Sequence, residues 1–169
     1  MASILIDCEH AGIVNGLSGL KYLLPEDHLY LFYSDASSSI RAGVVRTIEE
    51  SGCSFSAIRL VNRIQDVMEF YIATQAGEIF GKNPEEQVVI VSSGQDLQAL
   101  LDFWKMRREE ESGKMRYILT CSGDIEEGLL KLTEPFGEQR RKRIIEDRQM
   151  LKIGEEALRI RHLPKRDLR

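Results

Sequence analysis

Five short apolar runs, each bounded by polar or glycine residues, recur along the chain. They are residues 3–7 (SILID), 28–34 (HLYLFYS), 54–61 (SFSAIRLV), 87–93 (QVVIVSS) and 115–122 (MRYILTCS). Each run has the length of a strand and is rich in β-branched or aromatic residues. The pattern therefore predicts five β-strands.

Apolar residues at helical spacing fill the intervals between these runs. Predicted helices cover residues 15–24, 37–52, 65–83 and 95–111, and Gly52 ends the second of them. Parallel strands need crossover connections, which are usually helical. The alternation therefore predicts an α/β fold, a Rossmann-like, doubly wound parallel sheet of about five strands with helices on both faces.

A further helical pattern occupies residues 138–163, and Gly154 marks a candidate break within it. The chain has 169 residues, of which 43% are hydrophobic, and this is enough apolar material for one well-packed domain but not comfortably for two. We therefore expect one domain, residues 1–135, followed by a helical extension, residues 136–169.

Charge is distributed unevenly between these two parts. Residues 138–169 carry 11 Lys/Arg and 6 Asp/Glu, whereas residues 1–137 carry 12 and 21. A basic segment on an acidic body is typical of nucleic-acid binding, and Arg140, Arg141, Lys142 and Arg143 are the candidate contacts. Two alternatives are a solvated helix of mixed charge and an arm that joins a second copy or another protein.

The composition also bears on location. The longest apolar runs are of strand length, so we expect no membrane span and a cytoplasmic protein. Cys8, Cys53 and Cys121 form no C-x-x-C pair, which argues against both a disulfide framework and a thiolate zinc site.

Acidic residues lie at or after the ends of the predicted strands. They are Asp7, Glu9, Asp35, Glu69, Asp96 and Asp124. Because parallel strands bring their carboxyl ends to one edge of a sheet, we expect several of these carboxylates to converge. Oxygen ligands suit Mg²⁺ or Mn²⁺, and such ions support the hydrolysis of phosphodiesters.

Each acid also has a structural alternative. Asp35 precedes three serines and could form a turn or a cap, and Asp124 could cap the helix that contains Glu127. Glu69 could form a capping box with Asp66, and Asp96 suits the first turn of a helix. Asp7 has the weakest structural alternative, because it ends an apolar strand where an unpartnered charge is costly.

Three stretches carry a resemblance to a known family. They are ILIDCEHAGIVNGLSGLKYL, LYLFYSDASSSI and the segment from DVMEF to LLDFWK. Together they resemble the PIN-like nucleases of the NYN type, especially small bacterial members, over roughly residues 3–120. The resemblance implies a PIN-type sheet, a Mg²⁺- or Mn²⁺-dependent ribonuclease site and an RNA substrate. It makes Asp7 the principal metal ligand, Glu69 a second one, and Glu9 the other acid of the opening motif.

The chain departs from that family after the fourth predicted strand. The family usually has Ser-Lys-Asp there and another Asp four residues later, whereas this chain has Ser92-Ser93-Gly94 and then Gln98. Asp96 lies between these positions and is the candidate replacement. The amide oxygen of Gln98 can coordinate a hard cation but brings no charge.

Two functions follow from this comparison. The first is a metal-dependent ribonuclease with a reduced or rearranged carboxylate set, namely Asp7, Glu69 and Asp96, with Glu9 as a further ligand and Asp35, Ser92, Gln98 and Asp124 in support. The second is a catalytically inactive fold of this type that binds RNA or regulates a protein partner.

Overall fold

A computed structural model describes residues 1–9, 19–34, 42–60, 67–93, 97–110, 117–133 and 137–161. The strands are β1 (Ala2–Asp7), β2 (His28–Tyr33), β3 (Ser54–Arg59), β4 (Gln87–Val91) and β5 (Ile118–Ser122). The helices are α1 (Ala42–Ser51), α2 (Val67–Lys82), α3 (Gln98–Glu110), α4 (Ile125–Leu130) and α5 (Glu138–Arg161). A short 3₁₀ helix, Leu20–Tyr22, precedes β2.

The strands of the described chain form one parallel sheet in the order β3-β2-β1-β4-β5. The chain moves outward from β1 to β3 and then returns to the other side of β1. The point at which the order reverses therefore lies between β1 and β4. In open α/β sheets, ligands bind outside the carboxyl ends of the strands at this point.

Alternate residues of the central strands face two separate apolar layers. Ile4 and Ile6 of β1 pack into one cluster with residues of α1, α4, α5 and the 3₁₀ helix. Leu5 packs into a second cluster on the opposite face, with residues of α2 and α3. This period of two confirms the predicted α/β fold with helices on both faces.

Several details differ from the sequence prediction. The predicted break at Gly154 is wrong, because α5 is continuous from Glu138 to Arg161. Of the predicted helix 15–24, the described part is helical only as the 3₁₀ turn, and residues 15–18 lie outside the described residues. The sequence pattern also missed the six-residue helix α4.

Helix α4 packs very closely on the sheet, and a glycine allows this. A Cβ atom on Gly128 would lie 2.3 Å from Cγ1 of Val89 and 2.7 Å from the hydroxyl of Ser122. Gly128 therefore has a packing role that requires the absence of a side chain.

The first half of α5 belongs to the folded body. Arg140 and Ile144 are buried, and Asp147 accepts hydrogen bonds from the amine of Lys21 at 2.6 Å and the hydroxyl of Tyr22 at 3.0 Å. The following residues, 149–156, are all exposed. Helix α5 is thus docked on the body at its start and is exposed over residues 149–156.

In the part of the chain that the structure describes, no helix is both long enough and apolar enough to cross a membrane.

Candidate active site at the carboxyl edge of the sheet

Asp7 is the last residue of β1, at the point where the strand order reverses. Its side chain is buried, with an exposed fraction of 1%. Oδ1 accepts a hydrogen bond from the backbone N–H of Glu9 at 2.9 Å, and Oδ2 accepts one from the hydroxyl of Ser92 at 2.9 Å. Ser92 directly follows β4, so this contact joins the two strands on either side of the reversal.

These contacts fix the orientation of the Asp7 carboxylate. Hydrogen bonds from two different elements leave the carboxylate little rotational freedom. Ser92 is itself held, because its backbone N–H donates to the carbonyl of Ser122 at 3.0 Å. The result is a buried carboxylate of defined orientation, which is the arrangement that a metal ligand requires.

Glu9 occupies a different environment. It is exposed, and its carboxylate accepts a hydrogen bond from the hydroxyl of Ser34, the residue that follows β2. This contact links the ends of β1 and β2. The sequence pattern did not predict this partner for Ser34.

Glu69 lies in the first turn of α2, on the face of the sheet toward which Asp7 points. Asp7 and Leu5 are two residues apart in β1, so their side chains face the same side of the sheet. Leu5 packs in the same apolar cluster as Met68 of α2. Within the described chain, Oε2 of Glu69 is buried and has no hydrogen-bond partner. A buried carboxylate oxygen without a donor or a cation is energetically costly.

The other predicted residues divide into three groups. Asp35 and Asp96 lie outside the described residues, as does Asp66, the proposed capping-box partner of Glu69. Gln98 begins α3, is exposed, and donates its amide N–H to Oδ1 of Asp102 at 2.8 Å. Asp124 is the N-cap of α4, where its Oδ1 accepts from the backbone N–H of Glu127 at 2.7 Å, and this confirms the capping alternative.

Burial disfavours ionisation of the thiols near this edge. Burial, reinforced by the charges of Asp7 and Glu9, raises the pKa of Cys8 to about 12. Burial also raises the pKa of Cys121. Both cysteines therefore remain protonated at neutral pH, so carboxylates rather than thiolates are the ligands and bases available here.

The four basic candidates at the start of α5 have unlike surroundings. Arg140 is buried, and its Nη2 donates to Oδ1 and Oδ2 of Asp27 at 2.7 and 2.8 Å. It cannot reach a phosphate, so Arg140 has to be removed from the predicted nucleic-acid contacts. Arg141 is half-buried and donates to the carbonyl of Leu132 at 2.5 Å, whereas Lys142 and Arg143 are exposed.

Among the described residues, no three or more His, Cys, Asp or Glu side chains are placed to hold a metal ion together. Two of the three predicted carboxylates, Asp7 and Glu69, lie on one face at one edge of the sheet. The third, Asp96, falls in the undescribed segment between β4 and α3. The predicted three-acid set therefore remains a proposal.

Comparison with known proteins adds one finding. A family model described as PIN domain matches residues 1–109. Neither the curated proteins nor the solved structures include a match to the chain.

Proposed function

Since the chain belongs to the PIN-domain family, whose members are generally metal-dependent nucleases, we propose that it is a divalent-metal-dependent ribonuclease. We assign it to the NYN type, with single-stranded or structured RNA as substrate and a cytoplasmic location. The observation that supports this most directly is the buried, oriented carboxylate of Asp7 at the reversal of the strand order.

The side chains present at this edge fit a hard divalent cation. Asp7 and Glu69 offer carboxylate oxygens, the donors that Mg²⁺ and Mn²⁺ prefer. Oε2 of Glu69 is buried without a hydrogen-bond partner, and a bound cation would offset the free-energy cost of that burial. Asp96 is the proposed third ligand and Glu9 a weaker one, with support from Asp35, Ser92 and Gln98.

A bound Mg²⁺ or Mn²⁺ would supply an activated water and stabilise the charge that develops on a phosphodiester. The chain itself supplies position. Ser92 and the backbone of Glu9 hold Asp7 in one orientation, and Ser34 holds the Glu9 side chain toward β2. Fixed donors of this kind avoid reorganisation during the reaction.

The alternative function is a catalytically inactive PIN domain that binds RNA or a protein. The hydrogen bond between Gln98 and Asp102 favours this alternative, because the family has an acid at position 98 and the Gln98 side chain is turned along its own helix.

For both candidate functions we propose that residues 136–169 form an extension. Its exposed Met150, Leu151 and Ile153 would contact a second copy or a protein partner.

The substitution Asp7→Asn tests the catalytic proposal. Asparagine keeps an oxygen that can accept from the Glu9 N–H and an amide that can meet Ser92, so the fold should persist. We expect calorimetry to show Mn²⁺ binding by the native chain that is lost in Asp7→Asn, with parallel loss of RNA hydrolysis. The matched control is Glu85→Gln, an exposed acid at the opposite edge of the sheet.

Two results would contradict the proposal. The first is the absence of binding by the native chain at millimolar Mn²⁺. The second is RNA hydrolysis that survives Asp7→Asn. RNA binding without hydrolysis or metal binding would support the inactive alternative.

A further inference from the structure

A groove opens beside the candidate site, between α2 and the strands β2 and β3. Its lining consists of Phe32, Ile58, Phe70, Tyr71, Thr74 and Gln75, and it encloses a volume of about 240 Å³. Phe32 and Ile58 form the floor, and α2 forms the wall. The groove thus presents the aromatic side chains of Phe70 and Tyr71, while Phe32, which is only 1% exposed, lies beneath them.

The sheet register connects this groove to Asp7. Asp7 pairs with Phe32 of β2, and Phe32 pairs with Ile58 of β3. Paired residues of parallel strands point to the same face, so the three side chains form one row across the sheet. With strands about 4.8 Å apart, the floor of the groove lies about 5 to 10 Å from the end of β1.

Helix α2 also connects the groove to the candidate metal site. Glu69 and Phe70 are consecutive, so the proposed metal ligand and the rim of the groove belong to one helical turn. Phe70 is 72% exposed, and Tyr71 is half-buried against the core. The hydroxyl of Thr74 donates to the carbonyl of Phe70 at 2.7 Å, which fixes the helix at the point where the ring projects.

We propose that this groove binds an unpaired base of single-stranded RNA, stacked on Phe70 and Tyr71, while the adjoining phosphate lies at Asp7. The inference rests on the proposed function, because it places the scissile phosphate at the carboxyl edge. Aromatic side chains beside a phosphate site are the usual platform for unstacked bases. The substrate class is therefore single-stranded RNA, bound without strong sequence preference.

Size and position favour a base over a protein partner. The cavity is smaller than the roughly 300 to 1,000 Å³ typical of pockets for drug-sized molecules, so it suits one flat ring system. A stable protein interface needs about 1,000 Å² or more of buried surface, far beyond the lining of this groove. The groove is also continuous with the row that contains Asp7, where the phosphate of the same strand would lie.

The test measures binding of a labelled single-stranded RNA by fluorescence anisotropy in EDTA, so that neither metal nor hydrolysis is required. We expect Phe70→Ala to weaken binding at least about fivefold, which is the low end for loss of one stacked base. Phe70→Tyr should retain affinity. The matched control is Phe103→Ala, which removes a 47% exposed phenylalanine from α3 and should change affinity little.

A second arm uses RNAs that contain one abasic nucleotide at successive positions. The native chain should lose affinity at one position, and Phe70→Ala should be insensitive to the lesion there. Equal affinity of the native chain and Phe70→Ala would overturn the proposal, as would the absence of any RNA binding. A change in oligomeric mass on Phe70→Ala, measured by light scattering, would assign the groove to a second copy instead.

These outcomes are separable from those of the catalytic proposal. An effect of Phe70→Ala in a chain that binds no Mn²⁺ would support the base subsite and reject catalysis. Metal-dependent hydrolysis with no effect of Phe70→Ala on RNA binding would support catalysis and reject the base subsite.

Discussion

Two buried aspartates, Asp7 and Asp27, have different hydrogen-bond partners and therefore different roles. Asp7 accepts hydrogen bonds from the Ser92 hydroxyl and the Glu9 backbone N–H, which orient the carboxylate. Asp27 instead meets the guanidinium of Arg140 and the backbone N–H groups of Ala2 and Leu24. Asp27 is therefore a structural acid, whereas Asp7 is held at the carboxyl edge of the sheet by the ends of β1 and β4.

His28 gives a pH prediction at the same scale. Its ring nitrogens contact the hydroxyls of Ser54 and Ser56 at 2.8 and 2.9 Å, and its ring stacks on Tyr30. Burial lowers the pKa of His28 below its usual 6.5, and the nearby charge of Glu86 only partly offsets this. The folded protein therefore holds fewer protons at this site than the unfolded chain.

A lowered pKa of this kind makes stability depend on pH in one direction. The contribution of His28 is complete above pH 6.5 and is lost as the pH falls through the folded-state pKa. We expect His28→Gln to flatten the dependence of the unfolding free energy on pH below about 7, measured by urea unfolding. An NMR titration giving a His28 pKa at or above 6.5 would contradict the prediction.

At the scale of elements, α5 is tied to the body by a buried ion pair. Arg140 and Asp27 have exposed side-chain fractions of 1% and 0%. Asp27 also joins the loop before β2 to the start of β1, and its carbonyl accepts from the N–H of Ser54 at the start of β3. The first turn of α5 therefore completes a network that reaches three strands.

Removing the guanidinium of Arg140 should reveal how much this ion pair stabilises the fold. Arg140→Met would leave the Asp27 carboxylate buried without its partner, so we expect a loss of about 3–5 kcal/mol in the free energy of unfolding. Arg143→Met, an exposed change on the same helix, should stay within about 0.5 kcal/mol. Equal effects of the two variants in urea unfolding would show that the ion pair contributes little.

At the scale of the whole molecule, an acidic body carries a basic helix. The net charge is -4, although residues 138–169 hold an excess of Lys/Arg. An RNA strand bound at the carboxyl edge would meet the negative part of the chain first. Positive charge from α5, together with any divalent cation at Asp7, would offset this repulsion.

The double variant Lys142→Gln/Arg143→Gln tests that role. Both side chains are exposed, and each lost phosphate contact should lower the salt slope of single-stranded RNA binding by about 0.7. We therefore expect weaker binding and a slope lower by about 1.4. Lys105→Gln/Arg108→Gln removes two exposed charges from α3 as the control, and an equal change in both pairs would reject a specific role for α5.

The sequence alone determined the layers of this fold. Apolar runs of five to eight residues specify strands, and helical spacing between them specifies crossovers, so the parallel sheet follows from local periodicity. The positions of Asp7 and Asp124 at strand ends, and the structural alternative for Asp124, were also visible from neighbouring residues. In each case the information lies within a few positions along the chain.

Only the tertiary structure decided which distant residues meet. The order β3-β2-β1-β4-β5 brings Ser92 to Asp7 across 85 positions and places Phe32 and Ile58 in the same row. The tertiary structure also buries Arg140, which pairs with Asp27 at a sequence separation of 113 residues and so is not part of the basic surface. Burial and pairing depend on strand order and register, and periodicity along a single chain does not specify them.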